Sequence, residues 1–237
     1  MKNHRTCFAV ACLLWLLMGV APSCDAAEAT DPKNLIENGG FETWAPLDPN
    51  FARGDALQNV ILIPPNLAPT GWTPMHERVK HQNRTATIAM DEQVKHGGAR
   101  SVRIENRDMR DITLVMYSTE RFARRPDDPR NIRPNRRYLV RWWVKGENVR
   151  EDGTGPILMM FYMSEKNGKP GRVNTGESGG ELPKGSFDWQ RRQFVFITDE
   201  NAKWATMTFQ LRWTTGTIWY DDIELLDRGP VTPVKTY

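Results

Sequence analysis

Cysteine is nearly missing from this chain. Of 237 residues only Cys7, Cys12 and Cys24 are cysteines, so no disulfide framework and no cysteine-ligated zinc site lies further along the sequence. Long hydrophobic runs are equally scarce: after Cys7–Val20, no stretch approaches the ~18 apolar residues of a membrane-spanning helix. An excess of one charge is absent as well. The 32 Lys and Arg face 29 Asp and Glu, and the formal charge of +3 is too mild to point to a nucleic-acid binder on its own. Glycine (18) and proline (16) are near average usage, which excludes collagen-like and low-complexity classes. No Gly-Xaa-Ser-Xaa-Gly elbow, zinc spacing, phosphate loop or Glu-Xaa-Asp-Xaa-Xaa-Glu strand occurs. What remains is enough chain for one domain of sandwich or barrel size.

The first residues have the character of an address. Lys2 and Arg5 precede the 14-residue apolar run Cys7–Val20, and small residues follow, with cleavage expected after Ala26 or Ala29. Residues 1–29 are therefore expected to be a signal peptide, and the protein to be secreted, extracellular or periplasmic. The mature chain would hold no cysteine. The alternative, a lipid anchor at Cys24, fits the preceding Ala21-Pro22-Ser23 poorly because of the proline.

From residue 34 the hydrophobic period is two. Ala205–Trp213 alternates apolar and polar residues without a break, and Leu139–Lys145 does the same with Val140, Trp142 and Val144 on the inner side. Val102 and Ile104, the set Ile112, Leu114 and Met116, Phe194 and Phe196, and Trp219, Ile223 and Leu225 extend the inner series. Ile157–Met163 is apolar on both faces, which implies a strand whose second face is covered or lines a groove. Turn clusters such as Lys95-His96-Gly97-Gly98 and Lys166-Asn167-Gly168-Lys169-Pro170 separate the runs. The pattern predicts an all-β fold, a two-sheet antiparallel β-sandwich of jelly-roll type over residues 33–228, with 229–237 as a flexible tail. Two insertions stand out: 45–70, with five prolines, and 121–137, with seven arginines.

Five segments in order carry a family resemblance. They are Asn34-Leu35-Ile36-Glu37-Asn38-Gly39-Gly40-Phe41-Glu42, Pro69-Thr70-Gly71-Trp72, His96-Gly97-Gly98-Ala99-Arg100-Ser101-Val102, Pro134–Tyr138 with Trp142–Lys145, and Ile218–Leu225. Together they resemble the cellulase-C-type (CenC-like) carbohydrate-binding modules, a galactose-binding-domain-like jelly roll. The resemblance implies a structural Ca2+ held by the Gly40 carbonyl, the Glu42 carboxylate, a carbonyl near His96, and Asp221. Calcium takes six to eight oxygens of this mixed kind. Strand phase gives Asp221 separate support: it falls on the face of Trp219, Ile223 and Leu225, where an unpaired carboxylate is costly. Capping a turn or accepting backbone hydrogens is the other role open to it.

A sugar site needs aromatic platforms beside polar hydrogen-bonding groups. The polar strand face collects Arg141, Trp143 and Lys145, then Thr206, Thr208, Gln210 and Arg212, then Leu158, Met160 and Tyr162. Trp143, Arg141, Tyr162, Gln210 and Arg212 are thus the candidate carbohydrate-binding residues, with Trp72 as a possible cleft wall. The arginines of 121–137 suggest an acidic polysaccharide such as a uronate or sulfated polymer, or else a solvated loop. The expected protein is a monomeric, non-catalytic polysaccharide-binding module without nucleic-acid partners. Two alternatives stay open. One is a jelly-roll polysaccharide lyase or hydrolase, for instance through Tyr162 with Arg141 or His76 and His81 near Trp72. The other is a cell-envelope adhesion domain with a plugged cleft. No close acidic pair is expected on the polar face, which disfavours a glycosidase.

Overall fold

The computed structural model describes residues 33–46, 67–76, 86–123, 125, 127–177 and 183–231. The expected signal peptide, most of the 45–70 insertion and His81 lie outside the described residues. The alternating runs form strands β1 (Trp44–Pro46), β2 (Leu67–Pro69), β3 (Thr73–His76), β4 (Thr87–Asp91), β5 (Ser101–Asn106), β6 (Ile112–Ser118), β7 (Arg136–Val149), β8 (Gly155–Lys166), β9 (Lys169–Glu177), β10 (Gly185–Ile197), β11 (Ala202–Arg212) and β12 (Gly216–Pro230). One short helix, α1 (Glu120–Ala123), follows β6.

Two five-stranded sheets result, in the orders β10-β7-β12-β5-β4 and β3-β6-β11-β8-β9, and β1 and β2 form a separate ribbon. All pairings between these strands are antiparallel. The predicted two-sheet antiparallel β-sandwich is the fold observed. Its core is built by the inward sets of both sheets: Val140, Trp142 and Val144 of β7, Ile218 and Tyr220 of β12, Ala205, Met207, Phe209 and Leu211 of β11, and Val115 and Tyr117 of β6. Period-two alternation put these residues inward, and burial of the large apolar side chains contributes ~1.5–3 kcal/mol each.

Three phase assignments need correction. On β6 the residues in the main core cluster are Val115 and Tyr117, so the expected inner set Ile112, Leu114 and Met116 lies on the strand's other face, where Ile112 and Leu114 are still buried. On β8 the core residues are Leu158, Met160 and Tyr162. Both strands are apolar on both faces, which removes the polar reference that sets phase. On β12, an irregularity between Asp221 and Glu224 adds one residue relative to β7. Trp219 and Asp221 therefore point away from the core while Ile223 and Leu225 point into it.

The opening segment is not a regular strand. It makes one bridge, Asn34 to Leu226, and is stitched to β12 by Leu35 N–H to Leu225 O and Ile223 N–H to Gly39 O, each 2.9 Å. A side chain at Gly39 would collide with the Ile223 carbonyl, so glycine is needed for this close approach. At the other end, β12 runs to Pro230, two residues into the expected tail.

Candidate functional site

Strand β7 sends Arg141 and Trp143 to the outer face of its sheet because Val140, Trp142 and Val144 take the inner one. Its neighbours complete a depression of about 410 Å3 lined by Asn34, Gly40, Arg141, Trp143, Arg191, Asp222, Ile223 and Glu224. Arg191 of β10 lies directly opposite Trp143, and Glu224 of β12 lies opposite Arg141. The extra residue in β12 brings Asp222 to the rim, with a left-handed φ of 46° that Asp tolerates better than most residues. Arg141 Nε donates to Glu224 Oε2 at 2.7 Å.

The loop between β4 and β5 supports the site from one side. His96 stacks on Trp143, with centroids 3.7 Å apart and planes 17° from parallel, and meets Trp189 edge-on at 5.7 Å. Its Nδ1 lies 2.7 Å from Asp222 Oδ2. The same loop seals Asp221, which is fully buried. Asp221 Oδ2 accepts from the N–H groups of His96 (2.8 Å) and Gly97 (3.1 Å), and Oδ1 accepts from Asp222 N–H at 2.8 Å. Burial is the largest influence on its carboxyl and outweighs these donors, so its pKa is pushed up to about 6.

Of the residues expected at a calcium ion, Asp221 and Glu42 are both engaged by backbone donors of the 96–99 loop and of Asp222, which for Asp221 is the other role open to it in the sequence. Glu42 accepts Ala99 N–H with both oxygens, at 3.0 Å each. A methyl group at Gly97 would press on Asp222 Oδ2 at 2.6 Å and one at Gly98 would strike the Glu42 carboxylate, whereas at Gly40 it would make only ordinary contacts. Glycines thus let backbone approach carboxylates on two sides. Among the described residues no three His, Cys, Asp or Glu side chains are placed to hold a metal by themselves. A cation here needs backbone carbonyls beside Glu42 and Asp221. That oxygen-only donor set suits calcium.

The remaining expected residues fall elsewhere. Gln210 and Arg212 belong to the outer face of the opposite sheet, so they share no site with Trp143 and Arg141. Gln210 is only 1% exposed, gives Nε2 to Thr208 Oγ1 at 2.7 Å, and leaves Oε1 without a partner. Arg212 lies 4.0 Å over the Trp213 ring and donates to Met159 Sδ. Tyr162 is a core residue whose hydroxyl accepts Asp199 N–H at 3.3 Å, so no Tyr162–Arg141 pair exists. Trp72 is no cleft wall. It is buried among Phe41, Tyr117 and Phe209, and its indole N–H is given to Asn38 O at 3.1 Å.

Three arginines of the 121–137 segment are paired with carboxylates, while Arg125, Arg133 and Arg137 are exposed. Arg121 pairs with Glu37 at 3.6 Å and stacks over Tyr117 and Phe122, Arg130 pairs with Asp128 at 2.6 Å, and Arg136 pairs with Asp227 at 2.6 Å. Conversely, Arg191, Asp222 and Glu224 were not among the sequence-based candidates, and the two carboxylates correct the expectation of no acidic pair on this face. Strand alternation could have offered Arg191, in Trp189-Gln190-Arg191. The bulge that brings in Asp222 and Glu224 has no such signal.

No protein-family model matches the chain, and no curated protein matches it in sequence. Solved structures with related sheet arrangements include the CBM22-1 xylan-binding domain of Paenibacillus barcinonensis Xyn10C. It has 10% identity and a TM-score of 0.48, over 86% of this chain and 99% of that one. A structure described as "CBM4 structure and function" has 15% identity and a TM-score of 0.46, over 81% and 99%. The enzymatically active domain of tailspike protein 4 from bacteriophage CBA120 has 12% identity and a TM-score of 0.48, over 82% of this chain but only 21% of that one.

Proposed function

We propose that this protein is a secreted, non-catalytic carbohydrate-binding module, and that the depression around Trp143 is its sugar site. One observation carries this reading: Trp143, stacked with His96, lines a depression together with two arginines and two carboxylates. An indole takes the apolar C–H face of a sugar ring, while guanidinium and carboxylate groups take its hydroxyl edges. The non-catalytic reading is supported by how the carboxylates are used. Glu224 is held by Arg141 and Asp222 by His96, fixed contacts that suit the recognition of hydroxyl edges.

The same reading includes a structural Ca2+ that ties the opening segment, the 96–98 loop and β12 together through the Gly40 carbonyl, Glu42, the His96 carbonyl and Asp221. The test is titration of the mature protein with a panel of neutral and acidic polysaccharides, following tryptophan emission beside Trp143→Ala and assaying reducing ends in the same samples. A saturable shift, lost in the variant and without new ends, is expected. No shift with any glycan overturns the sugar-binding reading, and new reducing ends overturn the non-catalytic one.

A further inference from the structure

The charges that line the depression are unequally engaged. Arg141 is held by Glu224 at 2.7 Å, and Asp222 lies 2.7 Å from His96. Elsewhere on the same sheet face, Lys145 is held by Asp188 at 2.7 Å and Arg103 by Glu105 at 2.6 Å. Arg191 differs. Its side chain is exposed and lines the depression, and its guanidinium has no hydrogen bond or ion pair with any described residue.

Its place beside the tryptophan gives that free cation a direction. Arg191 and Trp143 are directly opposed on adjacent antiparallel strands, so their Cβ atoms lie ~5 Å apart on one face. A pyranose ring stacked on Trp143 therefore presents its exocyclic substituent within reach of the neighbouring guanidinium. A hydroxymethyl group there offers one neutral acceptor. A carboxylate offers two coplanar oxygens that match the guanidinium fork and carry the opposite charge.

We propose that the depression selects glycans bearing carboxylates, uronate-containing chains, with Arg191 as the residue that recognises the carboxylate. This rests on the carbohydrate-binding reading above and names its substrate class. What sets Arg191 apart from the exposed Arg125, Arg133 and Arg137 of the 121–137 segment is its position directly opposite Trp143 in the depression.

The test uses a β-linked oligoglucuronate and the matching oligoglucose, which differ only at C6, and a sulfated oligoglucose. Each is titrated calorimetrically into wild type, Arg191→Gln and Arg191→Lys at two salt concentrations, with circular dichroism as the folding check. Wild type is expected to bind the glucuronate about tenfold more tightly than the glucose oligomer, a gain that weakens with salt. Arg191→Gln is expected to bind the two alike, and Arg191→Lys to keep part of the preference. Equal wild-type affinity for glucuronate and glucose, or a preference that survives Arg191→Gln, overturns the uronate assignment and leaves the carbohydrate reading standing. Preference for the sulfated chain overturns the planar-carboxylate argument alone. Binding of no oligomer here and of no polysaccharide in the panel overturns both readings.

Discussion

His96 lies flat against Trp143, ring centroids 3.7 Å apart, while its Nδ1 stands 2.7 Å from Asp222. One loop residue thus supports the proposed sugar platform and fixes a carboxylate at the rim of the same depression. Removing it with His96→Ala is expected to cost about 1 kcal/mol of stability, the usual worth of an aromatic pair. Glycan affinity should fall roughly three- to tenfold as Trp143 gains freedom. His96→Phe keeps the stack without the Asp222 contact and should recover most of the affinity. Urea unfolding and glycan titration of the two variants separate the contributions, and unchanged affinity in His96→Ala would show that the stack does not position the platform.

Calcium binding predicts a mass-action effect on stability. An ion that binds only the folded chain adds about 2.7 kcal/mol at a hundred times its dissociation constant. For a domain of this size that is a rise of several degrees in melting temperature, at ~2–4 °C per kcal/mol. Chelator should reverse it, and Glu42→Gln should abolish it. Gly98→Ala should weaken it too, because the added methyl strikes the Glu42 carboxylate where φ is 54°. Identical melting curves with calcium and with chelator would remove the ion from the account.

Asp221 sets a pH dependence whose sign depends on the metal. Without metal its carboxyl is pushed up to about 6, chiefly by burial, from the ordinary aspartate value of 3.8. Between those values the folded chain keeps a proton that the unfolded chain has released, so stability falls as pH rises through that window. In chelator, unfolding midpoints are expected to decline from about pH 4 to about pH 6 through this group, and Asp221→Asn to flatten that decline. A bound cation favours the carboxylate and reverses the trend. A decline in chelator that Asp221→Asn leaves intact would assign it to another group.

The fold was legible because alternation on β7 and β11 is clean: Val140, Trp142 and Val144, and Met207, Phe209 and Leu211, lie on the core side where period two puts them. The site was legible only in part. Arg141 and Trp143 follow from the same alternation, but which sheet a strand joins is a long-range property. That is why Gln210 and Arg212 were grouped with Trp143 although they lie on the other sheet. Tyr162 was misplaced because β8 is apolar on both faces, and a one-residue error of phase exchanges the faces completely. The bulge that brings Asp222 to the rim depends on pairing with β7 and has no local signature.

Trp72 and Trp143 provide a final contrast between packing and recognition. Trp72 is 4% exposed and wedged between Phe41 at 4.9 Å, Tyr117 at 5.1 Å and Phe209 at 5.9 Å. Its truncation leaves a cavity and an unpaired Asn38 carbonyl, so Trp72→Ala is expected to cost about 3–5 kcal/mol. Trp72→Phe keeps most of the volume and should cost distinctly less. Trp143 stands outside the core, and Trp143→Ala should cost about 1 kcal/mol while removing the sugar platform. Trp72→Phe should therefore lower the denaturation midpoint while keeping glycan affinity, and Trp143→Ala should do the reverse. Both variants can be carried through one urea series and one titration series. If Trp72→Phe weakened binding as much as Trp143→Ala, the sugar would have to reach the sandwich end where Trp72 packs, and the depression on β7 would not be the whole site.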